Sequence, residues 1–555
     1  MKAFRRVIEW GKGPIPNRVR RSEGVEILRD EGIVERERLP DERVDHAEIR
    51  SYGEIERCHA EVHTPETVDE LRALLVRLAN DGRKVTFRAG GCSLDGQSLN
   101  DDVVVFLDEL DGIVIDDHPT HPTVTVGPGA TWGNIVRALE PRGLVPGIVV
   151  TASRATAGGT ASADGVSRFS STLGKESAFI EKLTLLTVDG AFHELSRDAT
   201  DPQELELFRG VIGGFGYLGA VVSVTYAVLR PKAEGPPRER LRVKTRVTKS
   251  AMFDTFADPG HGVSPPLPPS PTAVAPRRAG ACRTIARELH ASFSEANAAA
   301  RSTTQADLRE KPRAFYGVVC PGPRPRGLAF ESVYVRSDAT NPMLQHQPEH
   351  TFRPLAEWVA RFGPTSSLFW AGTFQMFQEG VDYVDELFGY TFFMDGNVRT
   401  HALERRLGLR TYTLQQTYVV PFRPDLLESF LERTLAFFDE RGLLPVLFDV
   451  LFVPGDEMIL SASRGGDGFA VTVAFETMNE AELEARIEAL SDLSEICASV
   501  GGKIHLVKSV CASPEVLKRM FGPAIAEFGA LKRRVDPKGV LVNRFLEKTF
   551  PELTR

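Results

Sequence analysis

The chain has 555 residues, enough for more than one hydrophobic core. Its net charge of −8 at pH 7 argues against a nucleic-acid binder, whose footprint would be a basic surplus. Hydrophobic content of 42% and charged content of 26% are those of an ordinary globular protein, and no apolar run approaches the ~20 residues of a membrane span.

Six cysteines (Cys58, Cys92, Cys282, Cys320, Cys497, Cys511) are scattered without a C-x-x-C pair. That pattern gives neither a zinc site nor a disulfide framework, and it fits a reducing, cytoplasmic location. The basic stretch Met1 to Arg21 lacks the continuous apolar core of a signal peptide. Phe4, Val7, Ile8 and Trp10, beside Arg5, Arg6 and Lys12, suit peripheral contact with an anionic membrane. Gly11, Gly13, Pro14 and Pro16 favour the alternative, a frayed or docked extension over 1–54.

Thr64-Pro65 predicts a helix start, with Val68, Leu71, Leu74, Leu75 and Leu78 at helical spacing and Asn80-Asp81-Gly82 as the stop. A strand then breaks into Arg88-Ala89-Gly90-Gly91-Cys92-Ser93, followed by Gln97 and Asn100. Glycine lets backbone N–H groups converge into an anion-binding concavity, and Arg88 offers a fork for phosphate oxygens. A tight loop between two strands is the plainer reading. Strands are expected over Val103 to Leu107 and Thr123 to Val126, with a helix from near Thr131 or Trp132.

A second glycine stretch runs from Thr151 to Gly165 and includes Ser153, Thr156, Gly158, Gly159, Ser162 and Ala163. Apart from Arg154 and Asp164, its residues are small or hydroxylated, which suggests backbone packed against something flat or phosphorylated. Ile180 to Val188 reads as a strand entering an Asp189-Gly190 hairpin turn. The third stretch, Val211 to Ala220, holds a G-x-G-x-x-G from Gly214 to Gly219. A helix (Pro202 to Arg209) precedes it and a strand from Val221 follows. That is the wrong context for a Rossmann nicotinamide site.

Pro-rich Asp258 to Gly280 reads as a linker or mobile loop. Beyond it, Thr411 to Val420, Leu444 to Val453, Phe469 to Phe475 and Lys503 to Val507 read as strands. Pro424 to Arg441 and Glu480 to Ser499 read as helices, giving the β-α-β-β-α-β order of a ferredoxin-like unit. A final helix, about Pro514 to Arg534, precedes the turn Asp536-Pro537-Lys538-Gly539.

The three loops, Arg88 to Ser93, Thr156 to Gly159 and Gly213 to Gly219, in that order over roughly 55–232, resemble the FAD-binding domain of the vanillyl-alcohol oxidase / p-cresol methylhydroxylase superfamily. The resemblance implies an α+β protein. It would comprise a two-subdomain PCMH-type FAD-binding domain (55–232), a substrate or cap domain with a ferredoxin-like sheet (233–502) and a C-terminal segment (503–555) returning to the flavin domain. It also implies that the Arg88 and Gly158 loops hold the pyrophosphate of FAD. The Gly213 loop and the strand at Val221 would hold the adenine end and flank the isoalloxazine.

Leu414 to Pro421, Lys503 to Lys508 and Val535-Asp536-Pro537 are similar to their counterparts in decaprenylphosphoryl-β-D-ribose oxidases, which oxidise a sugar hydroxyl. This similarity implies that Lys508 sits beside flavin and substrate and that Gln415 lines the pocket. Thr417 departs from that family's pattern, and Thr472 stands where it often has cysteine. Sterol side-chain reductases share a hydroxyl-rich segment like Ser167 to Ser171. Cys92 and Val166 occupy the positions where many members carry a flavin-linking histidine. Dissociable FAD is therefore expected, a link through Cys92 being the lesser option. Gly165 stands where some relatives limit oxygen access with a larger residue, which favours an oxidase.

Hydroxyl oxidation needs a carbon–hydrogen bond aimed at the flavin and a partner for the hydroxyl proton. Lys508 is the candidate for a cationic or proton-handling role, against the plainer reading of a surface lysine. In a regular strand His505, at i−3, faces away from Lys508, so both contribute only if the strand's end re-aims one of them. Tyr418 and His401 are further candidates, with core packing as the alternative. No cluster has metal-ligand spacing. The expected function is FAD-dependent oxidation of a small sugar or polyol hydroxyl, with O₂ or another acceptor. The alternative is ene-reduction of a hydrophobic alkene such as a sterol side chain.

Overall fold

A computed structural model describes residues 33–37, 45–148, 154–249, 271–302, 310–321, 325–338, 383–385, 411–445 and 447–554. The basic N-terminus, Ser153, His401 and 258–270 of the Pro-rich segment lie outside them.

The first glycine stretch leaves the end of a five-stranded sheet ordered Ile33–Glu37, Asp45–Arg50, Arg57–His63, Val103–Phe106, Val85–Arg88. Its last three strands are parallel. Val85, Val103, Val104 and Val105 are fully buried, as a parallel sheet covered on both faces requires. Helix Val68–Asn80 covers one face through Leu71, Leu75 and Leu78. It begins later than Thr64 because Thr67 and Glu70 make the stronger cap. Thr67 Oγ1 accepts from the Glu70 N–H, and the Glu70 carboxylate accepts from the Glu66 N–H. The sheet also claims part of the expected N-terminal extension. Asp45–Arg50 pairs antiparallel with Arg57–His63, burying Ala47 and Ile49.

The second sheet is antiparallel, ordered Phe192–Ser196, Ile180–Leu186, Ala220–Leu229, Thr123–Val126, Ile113–Asp116. The second and third glycine stretches lie at its margin, one opening into the short helix Ala157–Ala161 and the other ending in Ala220–Leu229.

Among the described residues the third sheet has eight strands, ordered Tyr383–Asp385, Leu241–Lys249, Arg326–Arg336, Arg313–Cys320, Leu447–Val453, Gly468–Thr477, Tyr412–Pro421, Lys503–His505. Its last four strands and helices Pro424–Arg441 and Glu480–Ser499 form the ferredoxin-like unit. Residues 271–280, expected as linker, belong to helix Pro271–Ser302. The prolines end as the helix becomes amphipathic, and Cys282, Ile285, Ala286, Leu289 and Phe293 bury one face at i, i+3, i+4 spacing. The strand expected to reach Val507 stops at His505, after which the chain turns.

After helix Pro514–Val535 the chain returns to the first sheet. The Val85 N–H donates to the Val540 carbonyl (2.8 Å), and the Val542 N–H donates to the Val85 carbonyl (3.2 Å). No described helix is long and apolar enough to cross a membrane.

Candidate functional site

The three glycine stretches, far apart in sequence, touch one another. A Cβ on Gly90 would stand 2.5 Å from the Arg154 carbonyl oxygen, so glycine is what lets the first loop lie on the second. The Arg154 guanidinium donates back to the Gly90 carbonyl (3.1 Å). Gly213 N–H and Phe215 N–H donate to the carbonyls of Ala161 (3.1 Å) and Ser162 (2.9 Å), joining the third loop to the second. The rim of this junction is small and accessible. Ala89, Gly90, Cys92, Ser93, Ser162 and Ala163 are half-buried and Gly159 is exposed, whereas Gly91, Thr156, Gly158, Gly214, Gly219 and Val221 lie buried behind them.

Arg88 does not reach into this cradle as a phosphate fork. Its side chain is buried behind the loop, donating to Ser98 Oγ (2.6 Å) and the Arg50 carbonyl (3.0 Å). Burial pushes its pKa down to about 10, so it remains cationic at neutral pH. It has no ion-pair partner among the described residues. It therefore shapes the loop from beneath and leaves a positive potential under the rim. Gly91 sits at φ +64°, and a Cβ there would stand 2.7 Å from Arg88 Nη2.

Gly165 does not open a space either. Its Cβ position is taken by Glu176, whose Oε2 would lie 2.6 Å away. Glu176 accepts from Tyr226 Oη (2.6 Å), Thr160 Oγ1 (2.8 Å) and the Gly165 N–H (3.2 Å). Burial still raises its pKa to about 8. Glycine at this position therefore leaves no room for oxygen where its side chain would stand.

The third sheet presents its other candidates by strand alternation. Tyr418 lies on the face covered by helices. Fully buried, it donates to the Leu490 carbonyl (3.0 Å) and accepts from Gln416 Nε2 (2.7 Å). That makes it a core residue, not a catalytic one. Gln415 and Thr417 face the opposite way. Strand register puts His505, Thr417, Thr472 and Asp449 in one row across four strands of that face. Thr417 Oγ1 and Thr472 Oγ1 are hydrogen-bonded (2.9 Å), so the two departures from the resembled pattern complete each other.

Lys508, in the turn that follows the strand's end at His505, is an electrostatic neighbour of Asp449 and His505 in this row. Gln97 Nε2, from the first glycine stretch, donates to the Lys508 carbonyl (2.9 Å) and the Leu506 carbonyl (3.3 Å), tying the turn to the cradle. Burial lowers the Lys508 pKa, against the pull of Asp449 and Cys92. His505 is driven to about 3, first by burial and then by Lys175 and Lys508. A neutral imidazole of that kind is a hydrogen-bonding group and too weak a base to hold a proton at neutral pH.

Other residues that build the site carried no sequence signal. Asn543 donates through Nδ2 to the Gln97 carbonyl and accepts from Tyr217 Oη (2.9 Å), joining the first and third loops through the C-terminal tail. Lys175 bridges Asp164 Oδ2 (2.5 Å) in the second loop and Asp456 Oδ2 (2.8 Å) between strands Leu447–Val453 and Gly468–Thr477. Apart from Asp164, their partners are hundreds of residues away, and a single sequence does not display such pairs.

A family model described as FAD binding domain matches residues 60–196, and one described as D-arabinono-1,4-lactone oxidase matches residues 438–549. An uncharacterized oxidoreductase of the fasciation locus of Rhodococcoides fascians is 29% identical over 164 residues, 30% of this chain and 36% of that protein. The FAD-dependent monooxygenase macF of Penicillium terrestre is 29% identical over 165 residues, 28% of this chain and 30% of that protein. The chain thus spans about a third of the length of each relative it matches.

Proposed function

Because the chain belongs to the PCMH-type FAD-binding oxidoreductases, with FAD as its cofactor, we propose that it oxidises a hydroxyl group of a sugar, polyol or related alcohol. The cradle suits the cofactor. Its small rim admits a dinucleotide, its backbone faces are free of bulky side chains, and the buried Arg88 charge favours the pyrophosphate. The loops at Ala89 to Ser93, Thr156 to Gly165 and Gly214 to Gly219 would hold it. FAD supplies the two-electron acceptor when bound.

The observation that carries the proposal is the row of His505, Thr417, Thr472 and Asp449 on the face of the third sheet away from its helices, beside the Lys508 turn that Gln97 ties to the first loop of the cradle. Its residues are polar and face the same way. Lys508 Nζ donates to a substrate oxygen, and the Gln415 amide and the Thr417–Thr472 hydroxyls orient the neighbouring part of the molecule. The apolar helical layer behind the sheet excludes water from that side. Oxygen or another small acceptor completes the cycle.

The purified protein is expected to be yellow and to release its flavin into the supernatant on acid precipitation. Retention of flavin in the pellet would instead indicate a link through Cys92. Under anaerobic conditions, sugars and polyols should bleach the flavin and reduced nicotinamide should not. Bleaching by reduced nicotinamide, with none by any alcohol, would replace this reading with ene-reduction.

A further inference from the structure

Two ionisable side chains on the face of the third sheet away from its helices are electrostatic neighbours without meeting. Asp449 lies in register with Thr472 and Val318, and Lys508 stands in the turn after His505. Each is an electrostatic neighbour of the other. Lys508 Nζ and the Asp449 carboxylate nevertheless stay beyond the 4.0 Å of an ion pair. Asp449 Oδ1 is buried with no hydrogen-bond partner among the described residues. A buried carboxylate oxygen without a donor is costly, and a native site keeps one where something else completes the bond. A hydroxyl does so in this setting, since its O–H donates to the carboxylate while its lone pairs accept from the ammonium.

We propose that Asp449 and Lys508 together bind a second substrate hydroxyl, one beside the hydroxyl that is oxidised, and, with the adjacent Thr417–Thr472 pair, select a polyhydroxylated alcohol over one with a single hydroxyl. The proposal rests on the alcohol-oxidising reading above and names its substrate class. A site built to hydrogen-bond a hydroxyl rejects the analogue that lacks it, because its own polar groups are then left unpaired.

Dithionite-reduced holoenzyme under argon cannot oxidise an alcohol, so calorimetric titration with sorbitol, glucose and 1-hexanol reads binding alone. The tighter of the two polyhydroxylated probes should bind at least about tenfold better than 1-hexanol. Asp449→Leu should weaken that probe by about tenfold or more and leave 1-hexanol unchanged, as expected for removal of a hydrogen bond to a charged group. Asp449→Asn keeps the side-chain shape and should shift the same affinity in the same direction, which carries the test if the leucine variant fails to fold. Equal wild-type affinities for the three probes overturn the proposal, as does an unmoved polyol affinity in either folded variant. Failure of alcohol oxidation itself would look different, since no alcohol would then bleach the wild-type flavin. If only the present inference fails, alcohols bleach the flavin and Asp449→Asn does not alter the ratio of polyol to 1-hexanol.

Discussion

Arg88 holds its charge beneath the first loop, where Ser98 Oγ and the Arg50 carbonyl both take hydrogens from it. A hydrogen bond to a charged group contributes about 1.5–3 kcal/mol. Arg88→Ala should therefore lower the melting temperature and the flavin-to-protein ratio together. Gly91→Val should act on the same loop by strain, because valine resists φ +64° and its Cβ would meet the Arg88 guanidinium. Full flavin occupancy in both variants would contradict the placement of the cradle. Glu176 makes a different, pH-dependent prediction. Its pKa is raised in the fold from 4.5 to about 8, so the folded state favours the protonated acid. The stability this group contributes is fully present below pH 4.5 and is lost as pH rises towards 8. Glu176→Gln cannot titrate, so the fall in unfolding free energy from pH 5 to pH 8 should be smaller than in the wild type. Parallel urea-denaturation curves at the two pH values read the difference.

Among the elements, the ferredoxin-like unit was legible because its signals agree. Pro424–Arg441, with proline at its start and Gly442 at its end, and Glu480–Ser499, capped by Asn479, have terminal signals and apolar spacing that coincide, and the strands between them are largely apolar runs. Helix Pro271–Ser302 was hidden because proline punctuation outweighs an alanine-rich face that only its neighbours make apolar. The three loops were legible as glycine patterns, but the direction of a side chain at a turn was not. Arg88 points under its loop, and Tyr418 points to the helices. Whether Lys508 shares a face with the sheet depended on where one strand ends, and that is set by pairing with Tyr412–Pro421. Its role is testable on that element. Lys508→Ala should leave FAD bound while slowing anaerobic flavin reduction by about 10²-fold or more. An unchanged rate in stopped-flow traces would remove Lys508 from the reaction.

At the scale of the whole molecule, two sets of buried polar contacts hold the third sheet and the cradle in one register. The first is the Lys175 bridge. Burial alone would lower its pKa, and the carboxylates of Asp164 and Asp456 more than reverse this. Lys175→Met would strand two carboxylates in the interior, a loss of about 3–5 kcal/mol. Thermal unfolding followed by tryptophan fluorescence should show it as a large drop in melting temperature. The second is the C-terminal tail. Lys532 Nζ donates to the carbonyls of Tyr217 (3.1 Å) and Leu541 (2.8 Å), and Asp536 pairs with it (2.8 Å). Asn543 then links Tyr217 to Gln97, and Gln97 holds the Lys508 turn. One asparagine thus connects the third loop, the first loop and the turn that carries the lysine. Asn543→Ala leaves a buried tyrosine hydroxyl and a buried carbonyl without partners, at about 1–3 kcal/mol each. It also removes the cap that accepts from the Leu546 N–H (2.8 Å). The expected result is a less stable protein that loses FAD more readily and whose remaining flavin is reduced more slowly. Asn543→Asp keeps the acceptor for Tyr217 and Leu546 and loses the donor to Gln97, so it should retain FAD better than the alanine variant while still reducing slowly. Flavin occupancy and stopped-flow reduction in the two variants therefore separate the cap from the link. Equal reduction rates in wild type and both variants would show that the tail supports the fold without positioning the lysine turn.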